Sequence, residues 1–283
     1  LAVLTTANLR ALSTAQVASM ITDEIVALTT AQVVGLSTAN AAALTTAQLA
    51  AMATDDVVVM TTANLRALST AQIAVVTTEQ VQALTTAQLN NLSTAQLLAL
   101  TTDQIVSLTT AQALALSTTN ANALSTAQIA ALETDDLAVL TTANLRALST
   151  AQIAAMTSDQ VVALTTAQVL GLSTANVNAL TTAQVAAMET DDLSVLTTAQ
   201  VRALSTAQVV SITTEQLQVL STQQINGLST AQMLALTTSQ IAALTTAQAL
   251  GLSTANANAL STAQIVALLT DNVAVLTTTD LRA

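Results

Sequence analysis

The carboxylates standing side by side at Asp55-Asp56, Asp135-Asp136 and Asp191-Asp192, with Glu133 and Glu189 just upstream of the last two pairs, are the residues best placed to do chemistry. A calcium ion takes about six to eight oxygen ligands, so these six aspartates are the candidate metal ligands. Against calcium, neighbouring carboxylates diverge on a helix, and neither an EF-hand loop nor a glycine-rich calcium-binding nonapeptide accompanies them. Acid–base catalysis by the pairs lacks a second participant, because the sequence contains no His, Cys, Tyr or Lys. The many Thr and Ser hydroxyls have no base to activate them. The residues thus point to no catalytic group and, calcium aside, to no cofactor.

These side chains are carried by an octad. Leu140 to Ala147, LTTANLRA, also stands at Leu4 to Ala11, and thirty-five such octads run from Leu4 to Ala283 without insertion or deletion. Each opens on Leu, Met, Val or Ile, usually continues with a Thr/Ser pair and then most often Ala-Gln or Ala-Asn, and closes with an aliphatic, a variable and a small residue. In LSTAQVAS, Leu12 to Ser19, Ser13 and Gln16 have the spacing of a capping box, so each octad carries its own helix-start signal. About six residues then remain for a helix of one and a half turns, too short to persist without packing. Its first, sixth and eighth positions are expected to face inward, the sixth and first carrying the aliphatic core to which Met20, Met52, Met60, Met156, Met188 and Met233 contribute. Gly35, Gly171, Gly227 and Gly251 all occupy the eighth position, where little bulk or a positive φ suits a helix end. In a β-solenoid the first and sixth positions would face opposite sides. In one continuous helix the anchors would drift by about 80° per octad and leave no seam. The expected fold is therefore all-α: an α-solenoid, or superhelix, of very short capped helices, one per eight residues.

The fourth position, normally Ala, reports how the octads wind. Acidic or other polar substitutes appear there as Asp23, Asp55, Glu79, Asp103, Asp135, Asp159, Asp191, Glu215, Ser239 and Asp271, with Thr119, Gln223 and Thr279 outside the series. The gaps span 31 octads in nine intervals, or about 3.4 octads per turn, if one side of the coil faces solvent. A super-repeat of seventeen octads agrees: Met52 to Val59, MATDDVVV, returns as Met188 to Val195, METDDLSV. Residues 1–283 read as a single continuous solenoid holding about two super-repeats. The start in mid-octad suggests an excerpt of a longer chain. With turns stacked roughly 8–10 Å apart, such a solenoid would be a rod on the order of 90 Å long.

Arg10, Arg66, Arg146, Arg202 and Arg282 all fall at the seventh position and are expected to form one basic line, separate from an acidic stripe that includes Asp23, Asp103 and Asp159. Two readings stand. Both lines are solvated faces that keep an apolar rod apart from its neighbours, or the Arg line of one copy docks on the acids of another. A net charge of −11 disfavours a nucleic-acid partner. Mean hydropathy is +0.62, but apolar runs reach only five residues, as at Ile265 to Leu269, far short of the roughly 20 that a spanning helix needs. Membrane insertion is not expected. Without Cys there are no disulfides, and the redox compartment stays open.

Tandem L-[ST]-T-A-Q-[VIL]-x-A octads such as LSTAQIAA, Leu148 to Ala155, resemble those of very long repetitive proteobacterial proteins described as adhesin-like or haem-utilisation proteins. That resemblance covers the whole chain and implies an exported, extracellular or cell-surface protein. The haem association finds no axial ligand here, with His, Cys and Tyr all absent. The expected function is structural and non-enzymatic: a filament, sheath or stalk whose partner is another copy of itself. The alternative is a rigid spacer that presents an adhesive domain elsewhere.

Overall fold

The computed structural model describes residues 5–267, which belong to two compact units, Leu1–Leu140 and Thr141–Ala283. Among the described residues every regular element is a helix, and there are 33 of them, four to six residues long. Each occupies one octad. Thr94–Ala99 is typical: Ser93 before it is extended, its hydroxyl accepts from the Gln96 N–H, and the Ser93 N–H donates back to Gln96 Oε1. The helix closes at Leu100, whose N–H donates to the Leu97 carbonyl and whose own backbone is again extended. Two extended residues, the aliphatic anchor and the hydroxyl cap, thus break the helix once per octad and turn the chain.

In each unit the helices coil so that one packs on the helix three further along, as Thr38–Ala43 does on Thr62–Ala67 and Thr174–Ala179 on Thr198–Ala203. The first and sixth positions fill the interior, where Leu97 is 1% and Leu100 5% exposed. In the first unit the space left between Leu65, Leu68, Val81 and Leu84 is about 10 Å³, room for little more than one water. This is a packed wall and not a chamber. The eighth position is half-buried more often than buried. Its glycines have ordinary negative φ, among them Gly35 at −75° and Gly251 at −78°. Their value is lack of bulk: a Cβ on Gly251 would lie 2.7 Å from Thr222 Cβ, and one on Gly35 2.9 Å from Thr6 Cβ.

The fifth position was expected only to cap its own helix, yet it is the most regular polar feature of the interior. From Gln32 to Gln264 every residue there is buried. Gln96 shows why. While its Oε1 accepts from Ser93 at 2.9 Å, its Nε2 donates to the carbonyls of Leu65 and Leu68, both at 2.8 Å, 31 and 28 residues back. Gln48, Gln112, Gln128, Gln208 and Gln248 repeat this pair of bonds at the same separations. Contacts at 28 and 31 residues correspond to 3.5 and 3.9 octads, slightly more than the 3.4 octads per turn inferred from the acidic series.

Replacing Gln96 by Ala removes the reciprocal cap and both bonds to the preceding turn, and is expected to cost about 2–4 kcal/mol. Ala95→Ser, on the exposed face of the same helix, should stay within about 0.5 kcal/mol. Urea denaturation of the two variants measures the difference.

Candidate functional site

The three acid pairs sit across the wall, one carboxylate outside and one inside. Asp55, Asp135 and Asp191 stand on the outer side at the fourth position, partly open to solvent, whereas Asp56, Asp136 and Asp192 occupy the fifth, where other octads place Gln or Asn, and are 4%, 2% and 2% exposed. Their helices, Thr54–Val58, Thr134–Ala138 and Thr190–Ser194, also lack a capping hydroxyl, because Ala53, Glu133 and Glu189 stand at the cap. Asp136 Oδ2 and Asp192 Oδ2 are buried with no hydrogen-bond partner. Burial, then Glu133 and Asp135, push the Asp136 carboxyl up to about 6; burial, then Glu189 and Asp191, do the same to Asp192. Asp56 is raised by burial and by Asp55. Among the described residues no three carboxylates converge in a way that would hold a metal ion. The pairs therefore do not form a joint ligand set: each has one member toward solvent and one in the wall.

The charged lines are outside. Arg10, Arg66, Arg146 and Arg202 are exposed in the last turns of their helices, and Asp23, Asp103 and Asp159 lie on the outer side in the first turns of theirs. Both placements suit the helix dipole. Glu79, in the same series, is held below its ordinary range by its own backbone N–H and the Thr77 and Thr78 hydroxyls. In the first unit Arg66 follows Arg10 by seven octads, and in the second Arg202 follows Arg146 by the same interval, which is twice the 28-residue register of the glutamine bonds. From Asp23 to Asp135 and from Asp159 to Glu215 the acids also recur every three and a half octads on average. Each series thus returns to one side of its coil. Arg282 and Asp271 lie outside the described residues.

The Arg146 side chain borders an open cleft of about 320 Å³, walled by Leu170, Ser173, Thr174 and Thr197. Other seventh-position residues face the next turn directly: the Asn178 amide donates to the Ala203 carbonyl at 2.6 Å and Gln218 to Ala243 at 3.0 Å. Leu98, Leu114, Leu170, Leu234 and Leu250, also at the seventh position, remain about half exposed. No helix among the described residues is long and apolar enough to cross a membrane.

A coil of octad helices, clamped in most octads by a buried fifth-position amide, defines an all-helical repeat protein. The model of the ALTTAQ repeat matches residues 1–30, 22–54, 49–86, 81–110, 129–166, 161–188, 185–222 and 210–246, and the chain belongs to the ALTTAQ repeat family. No curated protein matches the sequence.

The outer acids and arginines stand where the octad pattern puts them, whereas the fifth position, expected as the capping-box partner of its own helix, also bonds the preceding turn. A signal was present. Fifth-position residues alternate only between Gln and Asn apart from Glu24, Asp56, Asp136, Asp192 and Asp280, a narrower choice than capping alone demands. Restoring the missing cap should be measurable: Glu189→Ser is expected to stabilise the protein by about 1 kcal/mol in urea denaturation. It should also lower the Asp192 pKa, read by carboxyl NMR titration, because it removes a neighbouring negative charge.

Proposed function

We propose that this chain is a structural, non-enzymatic repeat protein that builds an extracellular filament, sheath or stalk by regular stacking and lateral association of copies. The observation that carries this reading is the shared spacing of the two charged lines. Within each unit two arginines stand seven octads apart and acids recur every three and a half octads on average, so the arginines of one coil meet acids of another at two points per unit in a single alignment. Exposed surface pairs contribute little singly, on the order of 0–1 kcal/mol each, but a repeated series adds and fixes register. The half-exposed leucines Leu98, Leu114, Leu170, Leu234 and Leu250 supply apolar area to the same association. Export to the cell surface follows from the likeness of the octads to adhesin-like repetitive proteins.

Lateral pairing of exposed charges is screened within a Debye length of about 8 Å at physiological ionic strength. Assembly, followed by sedimentation and negative-stain electron microscopy, should therefore weaken between low and high salt. It should be lost in a variant carrying Arg10→Glu, Arg66→Glu, Arg146→Glu and Arg202→Glu. Bundles unchanged by that variant would sink the charge-line mechanism. Monodisperse rods of the unmodified protein under every condition would favour a spacer that holds an adhesive domain at a distance.

A further inference from the structure

A glutamine at the fifth position does two things at once: it accepts from its own cap and donates to the turn before it. Asparagine, one methylene shorter, still makes the donation, to a single carbonyl. The Asn64 amide reaches the Leu36 carbonyl at 3.2 Å and that of Asn176 reaches Leu148 at 3.1 Å, in each case 28 residues back. Aspartate has the shape of asparagine, so the Asp192 carboxyl stands where an amide would meet the carbonyls of Val161 or Leu164, at the same two separations. The same register assigns Asp136 to the carbonyls of Ile105 and Leu108, and Asp56 to those of Ile25 and Leu28. An ionised carboxylate has no proton to give a carbonyl, and two acceptors facing each other in a buried wall repel. Buried Oδ2 atoms without partners at Asp136 and Asp192 are the structural trace of that mismatch.

We propose that Asp56, Asp136 and Asp192 are proton-operated joints, at which the bond between one turn and the next forms only when the carboxylic acid is protonated and donates to a main-chain carbonyl of the preceding turn. With the proton present, the acid replaces the amide and the wall is continuous. With the proton lost, that octad loses its clamp while the octads on either side keep theirs.

Burial first, and then the adjacent acids, favour the protonated form at each joint, and no cation on the packed elements opposes them. Around Asp192 they are Glu189 and Asp191 on its own segment, Asp159 on helix Ser158–Val162 of the opposing turn, and Glu215 on helix Thr214–Gln218, which packs from the other side. Helix Thr166–Gly171, also packed against it, carries no charge, and Arg202 on the following helix is exposed. Around Asp136 they are Glu133 and Asp135, with Asp103 on the opposing helix Thr102–Val106 and none on the packed helix Thr110–Leu114. Around Asp56 they are Asp55, with Asp23 and Glu24 on helix Thr22–Val26 opposite, none on Thr30–Val34, and Glu79 on the packed helix Thr78–Ala83.

A carboxyl whose folded pKa exceeds its unfolded one keeps its proton longer in the folded chain. Its contribution is full below the ordinary aspartate range and is lost as pH rises through about 6 for Asp136 and Asp192. The window therefore lies between roughly pH 4 and pH 7.

The test is thermal unfolding and amide hydrogen exchange, corrected for the intrinsic rate, from pH 4.5 to 7.5. The subjects are the unmodified protein, the triple variant Asp56→Asn, Asp136→Asn, Asp192→Asn, and the control Asp55→Asn, Asp135→Asn, Asp191→Asn. In the unmodified protein Tm should fall by several degrees across this range, and exchange in the octads of Asp136 and Asp192 should speed up by about tenfold or more. In the triple variant Tm at pH 7.5 should be higher than in the unmodified protein and nearly flat with pH, while the control keeps most of the slope. Asparagine is an ordinary occupant of this position, so the variant is expected to fold; Gln96→Asp supplies a second test by creating a pH-dependent joint where none exists. A triple variant no more stable at pH 7.5, or one that retains the slope while the control loses it, would overturn the proposal. So would a Gln96→Asp protein with an unchanged pH profile.

Discussion

Every feature of this wall depends on the side-chain amide at the fifth position of the octad. A helix of five or six residues satisfies almost none of its own main-chain groups, since the first four N–H and the last four C=O groups of any helix lack partners within it. In a long helix those ends are a minority; here they are nearly the whole element. Gln96 answers both ends with one residue, its oxygen taking the N–H of its own cap and its nitrogen feeding the carbonyls that close the helix one turn earlier. The amide is neutral, so burying it does not incur the desolvation of a charge, and each of its two halves finds a partner.

That constraint explains the composition. The interior is thin, one layer of aliphatic side chains from the first and sixth positions, and with no aromatic residue to broaden it the burial per octad is small. Hydrophobic packing then keeps the turns in contact but specifies their register poorly, because Leu, Val, Ile and Met exchange freely in such a layer. Register comes from the directional bonds. The 28-residue separation recurs with Gln in both units, joined by a second bond at 31 residues or, at Gln72 and Gln88, at 30, whatever the neighbouring aliphatic residue happens to be. The glycines refine this locally, admitting a Thr methyl and Cβ from the previous turn where an alanine would force them apart.

Much of this was legible in the residues alone. Ser13 and Gln16 announced the cap, the Thr/Ser pair announced the break, and the spacing of the acidic series from Asp23 to Asp271 announced a coil of about 3.4 octads per turn. What the letters concealed was the second use of Gln. A capping box engages only Oε1, and nothing local shows where Nε2 goes, because its partners lie almost four octads away and become neighbours only once the coil closes. For the same reason Asp135 and Asp136 look alike in sequence, two acids in a first helical turn. Their difference, one toward water and one in the wall, is a property of the turn before them. The glycine conformation was undecided for a similar reason: little bulk and positive φ both fit a helix end, and only the approach of Thr222 to Gly251 chooses between them.

The substitutions at Asp56, Asp136 and Asp192 fall in octads that have also given up the capping hydroxyl, at Ala53, Glu133 and Glu189. Two losses in one octad would be severe in a globular core, where a single uncompensated buried charge propagates through many neighbours. In an array each unit contacts mainly its own neighbours along the coil, so stability is close to a sum of local terms and a defect stays where it is made. The intact clamps at Gln128 on one side of Asp136, and at Gln184 and Gln200 around Asp192, hold the wall while one bond is missing. A solenoid can therefore carry weak octads at intervals without unfolding. Two of them, Asp56 and Asp192, lie seventeen octads apart in sequence like the MATDDVVV and METDDLSV segments that contain them, and Asp136 falls between, ten octads after the first and seven before the second.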